Sequence, residues 1–272
     1  MPRDFYKGRN IRPAEILARN HRHAVARGFP WFKSSPPREG RIAIVGGGAS
    51  ADLAGILAFD GPIIAVNGAY DWLCEAGRVP DYMAMADPDA AMAAFVQKPR
   101  KGTTFLIATS CDPSVFRALR RRDVRLWKAR QGNEDTTKGA IPGGPSMMCR
   151  APILAMFMGW REIHLCGADS CFTGPTTHVY GGDIPADAIT VNVAGLSYLT
   201  TPALVMQAEH LAGLLRMAND VEWHIKGTDH LLSRMLATGQ DWQFDRYVPP
   251  NATPAHISEA LRAVPSSWRN AP

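Results

Sequence analysis

The sequence has no long hydrophobic run. Its longest apolar stretches, residues 152–159 and 63–66, fall far short of the roughly 20 residues that a transmembrane helix requires. The first 20 residues contain neither the apolar stretch nor the small-residue cleavage site of a secretory signal. The sequence therefore predicts a cytoplasmic protein without a membrane span.

Cysteine is also scarce, with five residues among 272. An odd number in a long chain, placed mostly inside apolar segments, indicates reduced thiols that pack as small hydrophobic groups. Cys166 and Cys171 lie five positions apart, and no second cysteine or histidine pair occurs at the spacing of a zinc site. We therefore predict no metal ligands from the sequence.

Positive charge is concentrated at one end of the chain. Residues 1–38 contain nine lysines and arginines against two acidic residues, a net charge of +7, whereas the whole chain carries only +5. Such a segment suits a polyanion, an acidic neighbouring subunit or its own domain. No DNA- or RNA-binding motif accompanies it, so a nucleic-acid partner is not expected. We favour a helix packed on its own domain or on a second copy in a homo-oligomer.

From residue 41 onward, short β-branched runs alternate with segments of helical periodicity. Several runs are apolar on both faces, which is the pattern of a parallel sheet covered on both sides. The sequence therefore predicts an α/β fold with a doubly wound, mostly parallel sheet and helices on both faces. The predicted strands are 41–45, 62–66, 81–86, 103–108, 124–127, 162–166 and 221–225. The predicted helices are 50–58, 68–77, 88–97, 112–121, 145–159, 201–217 and 228–238.

Composition divides the chain into three parts. Residues 1–40 form a basic arm with a Pro-rich linker, residues 41–240 form the sheet domain, and residues 241–272 form a Pro-rich tail. Within the domain, residues 128–144 and 167–200 are predicted to be long irregular connections, which often carry function. In a doubly wound sheet, ligands bind at the carboxyl ends of the strands near the point where strand order reverses.

A glycine-rich loop follows the first predicted strand. Gly46, Gly47, Gly48 and then Ser50 precede a helix, and Gly46, Gly48 and Ala51 fit the loose dinucleotide pattern G-x-G-x-x-A. Glycines without side chains let backbone N–H groups and the helix N-terminus approach a phosphate. No lysine occupies the Walker position, which excludes an ordinary P-loop. The alternative is a tight turn that needs glycine for its backbone conformation.

Two polar residues follow the next strands. Asn67 stands where a dehydrogenase would place an acidic residue for the ribose hydroxyls, which weakens an NAD-binding interpretation; its amide suits a base edge or a ribose. Asp87 could hold a metal or a sugar hydroxyl, or it could cap a helix with Pro88 at the first helical position.

A second set of donors is predicted farther along the chain. Gly143, Gly144 and Ser146 precede an apolar helix and would offer N–H and hydroxyl groups at its start. Two such anion cradles suit a diphosphate or a nucleotide with a second charged substrate. His178 lies in a long loop and suits general acid–base catalysis, with Asp169 as an orienting carboxylate. The alternative for His178 is a surface histidine without a role.

The series AIVGGGAS, IIAVNGAYDWL, VPDYMAMADPD and GGPSMMCRAPILAMFMGWREIHLCGADSCF, followed by TTHVY, resembles a known family. That bacterial and archaeal family includes the 6-hydroxymethylpterin diphosphokinase (MptE-like) proteins and the motility-associated flagellin glycosyltransferases. The sequence is more distantly similar to bacterial sialyltransferases that use CMP-sialic acid. The resemblance covers roughly residues 41–200.

The resemblance implies a Rossmann-like domain that binds a nucleotide-containing donor. It implies phosphate contacts for the glycine loop with Ser50, although this chain has Ala49 where the family usually has proline. It implies nucleotide contacts for Asn67 and site roles for residues that match the motifs. Those residues are Asp87, Ser146 and Asp169, with His178 at the position of a candidate base in the sialyltransferase-like members.

Three functions are therefore weighed. The first is a glycosyltransferase that acts with a CMP-type sugar nucleotide and needs no metal. The second is a 6-hydroxymethylpterin diphosphokinase that uses ATP and Mg²⁺, with Asp87 or Asp169 as ligands and aromatic side chains that stack the pterin. The candidate aromatic residues are Tyr70, Trp72, Phe172 and Tyr180. The third is a nucleotide-binding or assembly module without catalysis.

Overall fold

The computed structural model describes residues 13–130, 138–185 and 187–247. Its strands are β1 Arg41–Val45, β2 Ile63–Val66, β3 Tyr82–Met85, β4 Thr104–Ala108, β5 Asp123–Ala129, β6 Ala140–Ile141, β7 Glu162–Cys166, β8 Ile189–Val193, β9 Leu196–Thr200, β10 Glu222–Ile225 and β11 Gln243–Tyr247. Its α-helices are α1 Ala14–Ala26, α2 Leu53–Leu57, α3 Ala69–Glu75, α4 Pro113–Ala118, α5 Met147–Phe157, α6 Pro202–Met217 and α7 Leu231–Thr238. A 3₁₀ helix, Ala90–Val96, follows β3.

Eight strands form one parallel sheet in the order β10-β7-β1-β2-β3-β4-β5-β6. Every residue of β2 is buried, as are four of the five residues of β1. Because successive residues of a strand point to opposite faces, this burial means that both faces of the central strands are covered. The predicted α/β fold with a mostly parallel sheet is confirmed.

The order of strands reverses at β1. The chain adds β2 to β6 on one side of β1, and then returns to place β7 and β10 on its other side. The carboxyl ends of β1 and β7 are therefore neighbours at the switch point, where open α/β sheets bind their ligands. The glycine loop follows β1, and the segment with Asp169 follows β7.

The structure adds elements that the sequence prediction lacks. Residues 167–200, predicted as irregular, contain the antiparallel hairpin of β8 and β9, and β11 pairs with β8 to complete a second, three-stranded sheet. β11 lies within the segment predicted as a Pro-rich tail; residues 248–272 fall outside the described residues. The helix predicted over 88–97 is the 3₁₀ helix Ala90–Val96.

The N-terminal segment packs on the domain in its described part. On α1, the Asn20 side chain donates a hydrogen bond to the Ser110 carbonyl at 2.8 Å. Farther along, the Phe32 amide donates to the Leu126 carbonyl at 2.7 Å, and the Leu126 amide donates to Pro30 at 2.8 Å. Residues 1–12 of the predicted arm fall outside the described residues, and an oligomer contact through it stays a prediction. In the part of the chain that the structure describes, no helix has the length and hydrophobicity to cross a membrane.

Gly159, just after α5, fixes the linker against the domain. Its φ is +93°, its carbonyl accepts a hydrogen bond from the Arg38 amide at 2.9 Å, and an added Cβ would collide with the Pro36 carbonyl. We expect Gly159→Ala to lower the free energy of unfolding by about 2–4 kcal/mol, since backbone strain and a backbone clash add. Gly77→Ala, at φ +88° with open space around it, should lose only about 1 kcal/mol. Urea unfolding of both variants measures the difference; equal losses would contradict this packing.

Candidate functional site

The loops after β1 and β7 are joined directly by backbone hydrogen bonds. The Gly46 amide donates to the Cys166 carbonyl at 2.8 Å, and the Gly48 amide donates to the Gly167 carbonyl at 3.1 Å. A Cβ at Gly48 would lie 2.7 Å from Cγ of Asp169, so the approach of the two loops requires glycine there. The two loops together form the floor of a crevice at the switch point, which we call the switch crevice.

Asp169 and Ser50 lock this floor. Asp169 is only 2% exposed, and its Oδ2 accepts a hydrogen bond from the Ser50 amide at 2.8 Å. The Ser50 hydroxyl donates to Oδ1 of Asp169 and accepts from the Gly167 amide at 3.1 Å. Both carboxylate oxygens are therefore used to position the glycine loop. Asp169 is a positioning group in this structure.

Two amides of the glycine loop remain available. Within the described residues, the N–H groups of Gly47 and Ala49 have no acceptor, whereas those of Gly46, Gly48 and Ser50 bond to the β7 loop. Two unpaired N–H groups in one turn suit an anionic ligand such as a phosphate.

The N-terminus of α2, expected to approach a phosphate, is capped by a side chain of the protein. The side chain of Asp52 caps α2, with Oδ1 3.2 Å from the Ala54 amide and Oδ2 3.1 Å from the Gly55 amide. A carboxylate already occupies the first amides of this five-residue helix. Any phosphate contact at this turn must therefore come from the loop amides and not from the helix.

A third loop covers the glycine loop. The Val179 amide donates to the Gly47 carbonyl at 2.8 Å, and the rings of His178 and Tyr180 stack with centroids 4.8 Å apart. A Cβ at Gly47 would lie 2.5 Å from Cδ2 of His178 and 2.7 Å from the Tyr180 hydroxyl. Glycine is thus required at position 47 for the close approach of these rings. The Tyr180 ring also meets the Phe95 ring edge to face, with centroids 6.3 Å apart.

His178 is held by a threonine and not by the predicted aspartate. Its Nδ1 lies 2.9 Å from the Thr177 hydroxyl, which itself lies 3.4 Å from the Gly181 carbonyl. The expected pairing with Asp169 is corrected, because Nδ1 contacts the Thr177 hydroxyl while the Asp169 oxygens accept hydrogen bonds from Ser50. The His178 side chain keeps solvent exposure, but desolvation by its neighbours lowers its pKa. Burial raises the pKa of Tyr180 to about 12.

Asn67 presents an unpaired acceptor beside the switch crevice. Its backbone is left-handed, with φ +50°. The backbone N–H of Asn67 donates to the Ala84 carbonyl, and the backbone carbonyl of Asn67 accepts from the Tyr70 amide. The side-chain Oδ1 is buried and has no hydrogen-bond partner among the described residues. The next residue, Gly68, lies against the Tyr180 ring. A buried, unsatisfied acceptor at this place can receive a donor from a ligand.

Asp87 makes only a local contact within its own turn. It is exposed, and its Oδ1 accepts a hydrogen bond from the Asp89 amide at 2.9 Å. The cap of the 3₁₀ helix is Asp89, which accepts from the Ala91 amide, so the expected cap at Asp87 is corrected by two positions. In the described part of the chain, no hydrogen bond or ion pair joins Asp87 to the glycine loop or to Asn67.

The helix that follows the second predicted cradle contacts the glycine loop. Ser146 caps α5 by accepting a hydrogen bond from the Cys149 amide at 3.3 Å, and a Cβ at Gly46 would lie 2.8 Å from Sδ of Met148 on the same helix. The first turn of α5 is therefore in contact with the glycine loop. Gly143 has a φ of +137°, and Gly144 packs closely on Cys149 and His210.

The predicted pterin-stacking residues divide into two groups. Tyr70 is fully buried, and its hydroxyl accepts a hydrogen bond from the Arg100 amide at 2.7 Å; Phe172 is 5% exposed. Neither ring can stack on a ligand, so these two expectations are wrong. Trp72 and Tyr180 are only partly buried, and Tyr180 is the one that contacts the glycine loop.

Comparison with known proteins gives the family. The sequence profile of the family described as 6-hydroxymethylpterin diphosphokinase MptE-like matches residues 19–175, more than half of the chain. The chain belongs to this MptE-like family. The match includes the glycine loop, Asn67, Asp87, the α5 cradle and Asp169, but it ends before His178. No curated protein matches the sequence of this MptE-like chain.

The MptE-like chain also has a solved structural neighbour. It is similar to the MAf glycosyltransferase from Magnetospirillum magneticum AMB-1, with a TM-score of 0.59 and 17% sequence identity. The alignment covers 91% of this chain and 42% of that chain, so the MptE-like chain spans less than half the length of this neighbour. At this identity the likeness shows the fold, and the expected similarity to sialyltransferases stays a prediction.

Proposed function

We propose that this MptE-like protein is a transferase that binds a nucleotide-activated donor in the switch crevice, and that the donor is a CMP-type sugar nucleotide. The observation that carries the proposal is the meeting of three loops at the switch point. Unpaired amides of Gly47 and Ala49 lie in the loop that His178 covers. Hydrogen-bond donors for a phosphate and a histidine of lowered pKa therefore lie next to one another.

The donor would be held at two places. Its phosphate would accept hydrogen bonds from the Gly47 and Ala49 amides, and its base would donate to Oδ1 of Asn67. Cytosine carries an exocyclic amino group, which is a donor that suits this unpaired acceptor. Tyr180 lies between the glycine loop and Gly68, where it would pack against the sugar or the base.

His178 would act as the general base. Because the Thr177 hydroxyl can donate to the Gly181 carbonyl, its oxygen can accept from Nδ1–H and leave Nε2 free to take a proton. Nε2 would remove the proton from an acceptor hydroxyl, and that oxygen would bond to the anomeric carbon of the donor. The bond from this carbon to the phosphate oxygen would break, and CMP would leave with the electron pair, stabilised by the loop amides.

A second candidate rests on the description of the family. A diphosphokinase would transfer a diphosphate from ATP to a hydroxymethyl pterin, with Mg²⁺ neutralising the phosphates. Of the two carboxylates expected to hold Mg²⁺, Asp169 already accepts hydrogen bonds from Ser50, and Asp87 is exposed and accepts a hydrogen bond from the Asp89 amide. We rank the metal-independent transfer first because Asp169 would have to share or give up its contacts with Ser50 to hold the ion.

Thermal unfolding with a panel of nucleotides separates these functions. At a concentration of about 100 Kd, a ligand that binds only the folded state adds about 2.7 kcal/mol, which raises the Tm of a chain of this size by roughly 5–10 °C. We expect this shift with CMP and with CMP-sugars, and none with ATP and Mg²⁺. A shift with ATP and Mg²⁺ alone would contradict the proposed donor and favour the diphosphokinase.

Asn67→Gly tests the base contact. Glycine keeps the left-handed backbone at φ +50° while removing the unpaired amide oxygen, so the fold should be unaffected. We expect CMP affinity to fall by about tenfold, in line with the loss of one hydrogen bond in a buried site. The matched control is Gly195→Asn, which exchanges the same two residue types in reverse at a left-handed position of the β8–β9 turn. It should leave CMP binding unchanged.

A further inference from the structure

Two neighbouring strands at the edge of the sheet carry the same short pattern. β7 contains Glu162 and His164 two positions apart, and β10 contains Glu222 and His224 with the same spacing. The strands pair in parallel with Glu222 opposite Glu162 and His224 opposite His164. Because alternate residues of a strand point to the same side, the four side chains lie on one face of the sheet.

Three ligand atoms converge on this face. Oε1 of Glu162 lies 3.0 Å from Nε2 of His164 and 3.8 Å from Nε2 of His224. The two imidazole rings are nearly parallel with centroids 4.2 Å apart, and one ligand atom from each residue falls within 4.8 Å of the others. Bonds of about 2.0–2.1 Å to a tetrahedral Zn²⁺ place ligand atoms about 3.3 Å apart, so small side-chain movements suffice.

The surroundings hold the first imidazole in place. His164 is 9% exposed and packs edge to face on Phe59. The Nε2 atom of His224 is buried without a hydrogen bond among the described residues, although Glu222 Oε1 lies 3.0 Å away. The side chain of His224 is 38% exposed, which gives an ion a path to the site.

We propose that Glu162, His164 and His224 form a binding site for a divalent cation of the Zn²⁺ class. Two imidazoles and a carboxylate are a usual donor set for this ion, and three protein ligands leave a fourth position open. A cavity of about 210 Å³ between α2 and the sheet adjoins the site, and His164, Arg41 and Lys226 are among its lining residues. The positive charges of Arg41 and Lys226 would favour an anionic group as the fourth ligand of the metal.

This site is independent of the proposed transfer reaction. The lining of its cavity shares Cys166 at the end of β7 with the floor of the switch crevice, but it includes none of the residues proposed to contact the donor or the acceptor. It also joins β10, the outermost strand, to β7, so bound metal would stabilise the edge of the sheet. A failure of the metal site would therefore leave the donor site untouched, and the reverse also holds.

Zinc binding to the full chain tests the proposal. The protein is treated with a chelator, equilibrated with Zn²⁺, separated from free metal and analysed for zinc, and Co²⁺ is added in a parallel experiment. We expect one Zn²⁺ per chain, a rise in Tm and the visible absorption of a tetrahedral Co²⁺ centre. His224→Ala and Glu162→Gln should each weaken zinc binding by at least about 100-fold, since even the loss of an outer-shell partner costs 10–100-fold.

The controls keep every outcome decisive. His23→Ala removes a histidine from α1 and should leave one bound Zn²⁺ per chain. If His224→Ala does not fold, Glu162→Gln, which keeps the size of the side chain, decides the question. A wild-type chain without stoichiometric zinc, or a folded Glu162→Gln variant that retains wild-type affinity, would overturn the proposal and leave the four side chains as hydrogen-bonded pairs only.

Discussion

Replacing His178 by glutamine is expected to lower the rate of sugar transfer by about 10²–10⁴-fold while CMP affinity changes by no more than about twofold. Glutamine keeps a polar side chain next to Thr177 and Tyr180 but cannot take the proton of an acceptor hydroxyl. A loss in kcat at unchanged affinity is the signature of a group that acts in the transition state. His23→Gln, the same substitution on α1, is the matched control and should transfer at the wild-type rate.

The pH dependence gives a second readout for His178. Desolvation favours the neutral ring, so the pKa lies below its ordinary value of 6.5. A general base works when deprotonated; kcat/KM should therefore be level at neutral pH and fall only as pH drops through a midpoint below 6.5. A His178→Gln variant that keeps both the wild-type rate and this profile would exclude His178 as the base.

Asp169→Ala should produce the largest structural effect in the switch crevice. The substitution removes hydrogen bonds from the Ser50 amide and hydroxyl to a buried carboxylate, and it leaves the Ser50 amide unsatisfied. We expect the free energy of unfolding to fall by about 3–5 kcal/mol, since hydrogen bonds to charged groups contribute roughly 1.5–3 kcal/mol each. CMP affinity should fall as well, by more than tenfold, because the glycine loop loses its anchor.

Two comparison variants sharpen this experiment. Asp169→Asn keeps the shape but offers one acceptor oxygen for two donors, so it should lose about half as much stability. Asp87→Ala removes an exposed carboxylate with a single turn hydrogen bond and should cost no more than about 1 kcal/mol. Equal losses for Asp169→Ala and Asp87→Ala in denaturant unfolding would show that the carboxylate does not lock the loops.

The sequence predicts the parallel sheet well because its strands are buried on both faces. The run of β2 is apolar throughout and that of β1 is apolar after Arg41, and only a covered sheet hides both sides of such a run. The position of the switch crevice follows from the same pattern, since the glycine loop comes directly after β1. Both features follow from local patterns in the sequence.

The β8–β9 hairpin shows where local patterns fail. Its two-residue turn is Ala194-Gly195, with φ values of +50° and +82°. Both positions are left-handed, and asparagine or aspartate normally marks the first of them. Because alanine at this position is not a turn signal, the sequence predicts an irregular connection where the structure has two strands.

The partners of the site residues could not be predicted either. Ser50 and Asp169 lie 119 positions apart, so their hydrogen bonds follow from the pairing of β1 with β7 and not from any spacing. The sequence suggests Asp169 as the partner of His178, whereas in the structure the Thr177 hydroxyl lies 2.9 Å from Nδ1. A repeated Glu-x-His pattern on β7 and β10 was visible, but its meaning depended on knowing that the strands are neighbours in register.

A crystal structure of the protein with CMP is the most direct test of the switch crevice. We predict that the phosphate lies within hydrogen-bond distance of the Gly47 and Ala49 amides and that the cytosine amino group lies against Oδ1 of Asn67. CMP bound elsewhere, for example in the cavity beneath α2, or no bound nucleotide at saturating concentration, would contradict the account.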